Sequence, residues 1–138
     1  MCITGNFALS LMVDPSVVAP VLSQPSLPAD LGPSYRRALH VGDDELVALK
    51  KRVDDGVEVL GLRFTHDKNV PDERFSRLRD ELGDGFCGVD IDSGPGNAHG
   101  LGKDAHSVVT RHLVDEDGHP TQHALHQVLS FFRSKLMP

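Results

Sequence analysis

The spacing of apolar residues predicts helices in three parts of the chain. Apolar positions three, four or seven residues apart form one face of an amphipathic helix. The first such pattern begins after Asp43 or Asp44, either of which is a suitable cap, and stops at Gly56. The second covers residues 71–82 and the third covers residues 121–136. One stripe of the third helix is expected to be buried: Leu125, Val128, Leu129, Phe132 and Leu136.

Short apolar runs between glycines and prolines predict three strands, over residues 17–23, 57–64 and 86–91. The second run is almost continuously apolar, which is typical of a strand covered on both faces in a parallel sheet. Cys87 lies inside the third run and is expected to be a buried strand residue. Alternating strands and helices favour the α/β class, with a mostly parallel sheet of about three strands flanked by helices.

Two further segments complete a single domain of 138 residues. Residues 3–13 are apolar on nearly all sides and end at Asp14 and Pro15, so they predict a buried helix. Residues 24–42 are rich in proline, serine and glycine, which indicates an excursion over the surface that could act as a lid.

Charge and composition exclude several classes of partner. A formal net charge of -6 with no basic run argues against nucleic acid. The longest apolar stretch, around residues 7–13, is far shorter than the roughly 20 residues that cross a membrane. It also lacks the features of a signal peptide, so we expect a cytoplasmic protein whose two cysteines are reduced.

Reactive residue types follow the predicted strands, and ligands of parallel sheets bind at the carboxyl ends of strands. Cys2 precedes a glycine-containing turn into an apolar segment, where helix N–H groups would favour the thiolate. Asp67 follows the second strand and could orient a histidine. Either His99 or His106 follows the third strand. This order of nucleophile, acid and histidine is that of α/β-hydrolases.

Three stretches together resemble the dienelactone hydrolase family, whose nucleophile is a cysteine in a G-x-C-x-G turn. They are MCITG, GLRFTHDKNVP, and the His106-Ser107-Val108 segment followed by the terminal LSFF. Thr4 stands where the family has its second glycine, with Gly5 directly after it. The resemblance implies a partial α/β-hydrolase fold, corresponding to the C-terminal half of a family domain that is truncated before the nucleophile.

The resemblance also implies an activity and a set of site residues. Cys2 would attack a small-molecule carboxylic ester or lactone, Asp67 would be the acid and His106 the histidine. The backbone N–H of Ile3 would bind the oxyanion, and Arg111 would bind a carboxylate of the substrate. No cofactor and no metal ion are expected in this chemistry.

Two alternatives remain open among the histidines. His99 fits the shorter distance from the third strand, whereas His106 fits the family pattern, and we favour His106. The chain has eight histidines, and His119, His123 and His126 are spaced so that some could share a helix face. We interpret them as a surface cluster rather than a metal site, because no recognised ligand spacing is present.

The alternative function is that of a non-catalytic fragment or binding module. A nucleophile turn is normally preceded by a central strand, and a parallel sheet without that strand exposes an apolar edge. Such an edge predicts an oligomer or another partner at the side of the sheet.

Overall fold

A computed structural model of the chain describes residues 1–26 and 31–137. Three parallel strands form one sheet in the order β1, β2, β3, so β2 is central. The strands are β1 (Val21–Ser23), β2 (Val59–Phe64) and β3 (Phe86–Ile91). In register, Leu22 lies opposite Gly61, and Gly61 lies opposite Gly88. The α/β class with a three-stranded parallel sheet is thereby confirmed.

Helices flank this sheet in the described part of the chain. They are α1 (Phe7–Leu11), α2 (Pro33–Arg37), α3 (Asp43–Asp54), α4 (Asp72–Leu82) and α5 (Pro120–Leu136). Single 3-10 turns cover Cys2–Asn6 and Gly83–Gly85. None of the helices in residues 1–26 and 31–137 is long and apolar enough to cross a membrane.

Two apolar cores lie on opposite faces of the sheet. Alternate residues of β2 supply both cores, because successive side chains of a strand point to opposite faces. The first core packs α1, α3 and α4 against the sheet and includes Leu9, Leu22, Leu49, Val59, Phe75 and Leu78. The second packs α5 and the loop before it against the sheet and includes Leu60, Leu62, Phe64, Ile91, Val108 and Val128. The prediction that this strand is covered on both faces is confirmed.

Arg63 is the exception in this apolar strand, and its charge is fully partnered. Its side chain is buried and forms an ion pair with Asp90, the residue opposite it on β3. The guanidinium also donates to Asp72 Oδ1 at 2.7 Å and to the carbonyl oxygen of Val70 at 3.2 Å. These bonds offset the cost of burying a charge. They also fix the start of α4 against the sheet.

Glycines mark the ends of two helices as expected, but one predicted cap is wrong. Gly56 has a φ of 94° just after α3, and Gly83 has a φ of 52° just after α4. Neither Asp43 nor Asp44 caps α3. Gly42 is the capping residue, and its N–H donates to Glu45 Oε2 at 2.8 Å. The two aspartates lie in the first turn, where their charge favours the helix dipole.

The prediction of a buried helix over residues 3–13 is wrong. This segment is a 3-10 turn followed by the short α1, and only one side of it faces the core, through Leu9 and Met12. Ile3 is 48% exposed, and Phe7 and Leu11 are each 60% exposed. These three side chains are therefore largely open to solvent in the described part of the chain.

Cys87 is also not buried as predicted. Among the described strands β3 pairs only with β2, and Cys87 is exposed there. It borders an open cavity of about 280 Å³ between β3 and α5, which Phe131 and Leu60 also line. Its place in an apolar run therefore did not predict burial.

The buried stripe of α5 is rotated from the predicted one. Val128 is buried and Phe132 packs against the second core, as expected, but Leu129 and Leu136 are exposed. The residues that replace them on the buried face are Thr121, Ala124 and Phe131.

The excursion over residues 24–42 is only partly on the surface. Residues 27–30 of it lie outside the described residues, so the lid prediction falls partly on them. Ser26 and Leu39 are buried, whereas α2 lies on the surface against α4. Arg37 of α2 forms an ion pair with Asp80 of α4 at 3.1 Å.

Gly61 provides a test of how the first core packs. A Cβ at this position would lie 2.6 Å from the ring of Phe86 and 3.1 Å from that of Phe75, and these two rings pack edge to face at 5.5 Å. Gly61→Ala should therefore destabilise the fold by about 1–3 kcal/mol, as overpacked cores do, measured as a lower urea midpoint. Gly102→Ala is the control, because its Cβ would meet only the Asp104 backbone at 3.9 Å. Equal midpoints for the two variants would contradict this packing.

Candidate active site

Cys2, Asp67 and His106 lie in a row near the carboxyl ends of the strands. His106 Nε2 is 3.3 Å from Cys2 Sγ, and His106 Nδ1 is 2.5 Å from Asp67 Oδ2. One imidazole thus joins a thiol on one side and a carboxylate on the other. The structure brings these three predicted residues together.

The turn that presents Cys2 is strained and tightly packed. Cys2 has a φ of 54°, in the left-handed region that residues with a side chain rarely adopt. Gly5 permits the turn to pack on the end of β1, because a Cβ there would be 3.3 Å from the carbonyl oxygen of Ser23. Thr4 Oγ1 donates to the carbonyl oxygen of Met1 at 2.7 Å and closes the turn. The thiol is therefore held outward at a sharp corner.

Asp67 is placed by the end of β2. It is 5% exposed, and its N–H donates to the carbonyl oxygen of Phe64, the last residue of the strand, at 3.3 Å. Its Oδ1 accepts from the N–H of Asn69 at 3.0 Å, which leaves Oδ2 for His106. Both carboxylate oxygens thus have partners that fix the plane of the group.

His106 is carried by a loop that His112 holds in place. Nδ1 of His112 accepts from the backbone N–H of Ser107 at 3.0 Å and from that of His106 at 3.3 Å. The His112 ring packs edge to face on Phe64 at 6.1 Å, and Val108 is fully buried. The loop is therefore anchored to β2 by residues that directly follow the reactive imidazole in the chain.

The surroundings of Cys2 and His106 favour a charged pair. The Ser26 hydroxyl, 3.2 Å from Cys2 Sγ, is the main cause that lowers the pKa of Cys2 from 9.0 to about 7. Contacts with His106 and the Ile3 N–H also lower this pKa, whereas burial raises it. Burial lowers the pKa of His106, but its bonds to Cys2 and Asp67 outweigh that effect and raise it. The thiol is thus made more acidic and the imidazole more basic.

Behind the nucleophile turn, the buried guanidinium of Arg74 joins three segments. From α4 it donates to the side-chain oxygen of Asn6, to the carbonyl oxygen of Pro25 at 3.0 Å and to that of Ala38 at 2.5 Å. Burial lowers the pKa of Arg74 to about 10, which still leaves it charged at neutral pH. Asn6 in turn donates to the carbonyl oxygen of Ser26 at 2.8 Å. The segment that contains Ser26 is therefore held in place by hydrogen bonds from Asn6 and the buried Arg74.

His99 lies elsewhere in the fold. It is exposed in the glycine-rich loop after β3, where Asn97 accepts from its N–H at 3.2 Å. Its ring packs edge to face on His119 at 5.1 Å. His119 is the capping residue of α5 and its Nδ1 accepts from the N–H of Thr121. The geometry thus favours His106 over His99 as the partner of Cys2.

Arg111 is exposed and does not line the cavity beside His106. That cavity has a volume of about 310 Å³. Its lining residues are Asp67, Lys68, Asn69, Lys103, Asp104 and His106. The cations nearest the imidazole on this side are thus lysines rather than the predicted arginine.

Within residues 1–26 and 31–137, no group of three or more histidine, cysteine or acidic side chains has the arrangement of a metal site. His123 and His126 are exposed on α5, as expected of a surface cluster. His119 is buried and holds the start of the helix instead, so it is not part of such a surface.

Sequence reasoning missed Ser26, Asn6, Arg74 and His112. Ser26 follows β1 by three residues, so the rule that selected Asp67 after β2 would have found it. Arg74 lies on the same helical stripe as Leu78 and Leu82, which is a signal for a buried arginine. For His112 no comparable signal exists, because its role depends on the path of a loop.

Comparison of the chain with protein-family models, with curated proteins and with solved structures found no match.

The lowered pKa of Cys2 predicts a pH-dependent contribution to stability. Between about pH 7 and 9.0 the folded chain holds fewer protons on Cys2 than the unfolded chain, so stability from this group rises with pH. This stabilisation is complete above pH 9.0 and is lost as the pH falls through about 7. The difference in free energy of unfolding between wild type and Cys2→Ala should therefore be larger at alkaline than at mildly acidic pH, in urea titrations under reducing conditions.

Cys87→Ala is the matched control for this measurement. Cys87 is also an exposed thiol, but it lies on β3 away from His106. The difference in free energy of unfolding between wild type and Cys87→Ala should not follow the pH dependence expected for Cys2→Ala. Parallel pH curves for wild type and Cys2→Ala would contradict the inferred acidity of the Cys2 thiol.

Proposed function

We propose that the chain is a dienelactone hydrolase-like enzyme that hydrolyses a small carboxylic ester or lactone with Cys2, Asp67 and His106. The observation that carries the proposal is the position of the His106 imidazole, 3.3 Å from the thiol and 2.5 Å from the carboxylate. This arrangement of nucleophile, base and orienting acid is the one that acyl transfer requires. The resemblance of the sequence to that family supports the same reading.

In the first half-reaction, Cys2 gives its proton to His106 Nε2 and the sulfur attacks the carbonyl carbon of the ester. A C–S bond forms and the electron pair of the carbonyl moves to oxygen. When the oxyanion collapses, the bond to the leaving oxygen breaks and His106 Nε2 returns its proton to that oxygen. The products are an alcohol and a thioester on Cys2. With a lactone, the alcohol remains attached to the acyl group.

Water completes the reaction. His106 Nε2, now neutral, takes a proton from water as its oxygen attacks the thioester carbon. The C–S bond breaks, the sulfur leaves as a thiolate and the carboxylic acid is released. Asp67 stays ionised throughout and stabilises the imidazolium through Nδ1. The backbone N–H of Ile3 donates a hydrogen bond to the Cys2 side chain in the free enzyme. We assign this N–H as the donor to the oxyanion.

The same proposal places the protein in the cytoplasm. A nucleophilic thiol must remain reduced, and reducing conditions are those of that compartment. Cys2 and Cys87 are both exposed and form no disulfide, so both thiols are open to oxidation.

Hydrolysis of p-nitrophenyl acetate tests the proposal. Cys2→Ala should abolish catalysis above background, and His106→Ala should reduce it by about a hundredfold or more, the usual contribution of a positioned general base. Asp67→Asn should also reduce it, because the imidazolium loses its charged partner. An acetyl group on Cys2, detected by mass spectrometry after rapid quenching, would identify the covalent intermediate.

Cys87→Ala and His99→Ala are the matched controls, since each removes a similar group outside the site. Both should retain the wild-type rate. Equal rates for wild type and Cys2→Ala would refute the proposed activity. Loss of activity in His99→Ala but not in His106→Ala would show that His99, and not His106, is the catalytic histidine.

A second candidate is a non-catalytic binding module that self-associates through an apolar edge, defined by Ile3, Phe7 and Leu11. These side chains are 48%, 60% and 60% exposed beside β1. Among the described strands, β1 pairs only with β2, so its other side has no strand partner. Exposed apolar groups next to an open strand favour association with another chain.

Light scattering over a range of protein concentrations tests this candidate. Self-association should appear in the wild type and should weaken in the double variant Phe7→Ser, Leu11→Ser, because two apolar anchors are removed. Leu129→Ser is the control, since Leu129 is 41% exposed on α5, which packs on the opposite face of the sheet from α1. A wild type that stays monomeric at every concentration would eliminate the self-association.

A further inference from the structure

Ser26 and His106 both place a polar side-chain atom within hydrogen-bond distance of the Cys2 sulfur. Ser26 is 4% exposed, and its Oγ lies 3.2 Å from Cys2 Sγ. We propose that Ser26 is a further catalytic residue, whose hydroxyl donates a hydrogen bond to the Cys2 thiolate in the free enzyme and again when the thiolate leaves. This inference rests on the ester hydrolase function proposed above, because it assigns a role within that reaction.

The backbone of Ser26 is fixed on both sides before any substrate binds. Its N–H donates to the carbonyl oxygen of Cys2 at 3.2 Å, and its carbonyl oxygen accepts from Asn6 Nδ2 at 2.8 Å. Asn6 also donates to the carbonyl oxygen of Ile3 at 2.9 Å and accepts from the buried Arg74. A donor held in this way needs little reorganisation when charge develops on the sulfur.

The direction of the hydrogen bond follows from the charge on sulfur. A thiolate carries no proton, so the Ser26 hydroxyl must be the donor to it. His106 Nε2 is the other side-chain donor at the sulfur. In the acyl-enzyme, however, His106 is neutral and must accept a proton from water. Ser26 has no such second task, and it remains available when the C–S bond breaks and the electron pair moves to sulfur.

Stabilising a thiolate has two opposing effects on its reactivity. Lowering the pKa from 9.0 to about 7 raises the thiolate fraction at neutral pH from about one in a hundred to about one half. Nucleophilicity falls with the pKa, with a Brønsted coefficient of about 0.4–0.5, which costs roughly eightfold over the same interval. The gain of roughly fiftyfold in thiolate exceeds that loss, so the contacts of Cys2 with Ser26, His106 and the Ile3 N–H together favour reaction at neutral pH, and the Ser26 bond is the largest cause.

The ionisation of Cys2 can be measured directly by its rate of alkylation with iodoacetamide as a function of pH. A Cys87→Ser background leaves Cys2 as the only thiol. The midpoint should lie near pH 7 in this background. Ser26→Ala should raise it by about one pH unit, because one hydrogen bond to a charged group is lost. The rate at alkaline plateau should rise about threefold, since the unassisted thiolate is a better nucleophile.

A disturbed fold would also raise the midpoint and the plateau rate, because a free cysteine has a higher pKa and is a stronger nucleophile. Circular dichroism of each variant and retention of the midpoint in Ser26→Thr therefore distinguish loss of the donor from a disturbed fold. Ser130→Ala, the same change on the exposed face of α5, should leave the profile unchanged. Ser26→Thr keeps the hydroxyl and should keep the midpoint near that of the background. Ser26→Gly also removes the hydroxyl and replaces Ser26→Ala if circular dichroism shows that the alanine variant is unfolded.

An unchanged midpoint in a folded variant that lacks the Ser26 hydroxyl would overturn the inference. This outcome is distinct from failure of the proposed function, because alkylation needs no ester turnover. If hydrolysis depends on Cys2 and the midpoint does not move, Ser26 has no catalytic role. If hydrolysis is independent of Cys2, the esterase proposal fails. The catalytic role of Ser26 then fails as well, because it is a role within that reaction.

Discussion

The central strand β2 has a neighbouring strand on each side and an apolar core on each face. Its register cannot shift by one residue, since every side chain would then exchange cores. Arg63 makes this restriction stronger, because its guanidinium must face Asp90 and Asp72 rather than the apolar residues under α5. The position of Asp67, just beyond the end of β2, follows from that fixed register. The remaining site residues are arranged around it.

The proposed chemistry depends on segments that meet only in the folded chain. Cys2 comes from the first turn, Ser26 from the segment after β1, and His106 from the loop before α5. Arg74 reaches the first two of these from α4 through its bonds to Asn6 and Pro25. Acceptors for Nη1 and Nη2 offset part of the cost of burying this charge, whereas the buried Nε has no hydrogen-bond partner among the described residues. The carbonyl and amide partners of Arg74 fix the segments that present the thiol.

Sequence reasoning was most successful where one local signal determined the structure. The strands β2 and β3, the helix α4 and the position of Asp67 after β2 all have such signals in apolar runs, helix-ending glycines and strand ends. Burial was less predictable. Phe7 and Cys87 are in apolar runs, but periodicity shows which side chains are apolar and not whether another element covers them.

The same distinction explains the site residues. His106 and His99 both follow β3, and only the path of the intervening loop separates them. Ser26 was overlooked because its proline-rich surroundings indicated a surface segment, although the backbone there is drawn into the fold by Asn6 and Arg74. Contacts of this kind join residues far apart in the chain, so no local pattern contains them.

The contact between Cys2 and His106 joins residues 104 positions apart. It therefore closes a loop that includes almost the whole chain, and the entropy lost in closing it is recovered only through the packing of the elements between. Any fluctuation that releases the loop before α5 removes the contribution of His106 to the acidity of the thiol, whereas the contribution of Ser26 remains. The reactivity of this single sulfur should thus respond to opening of the loop that carries His106, which makes it an intrinsic probe of that local motion.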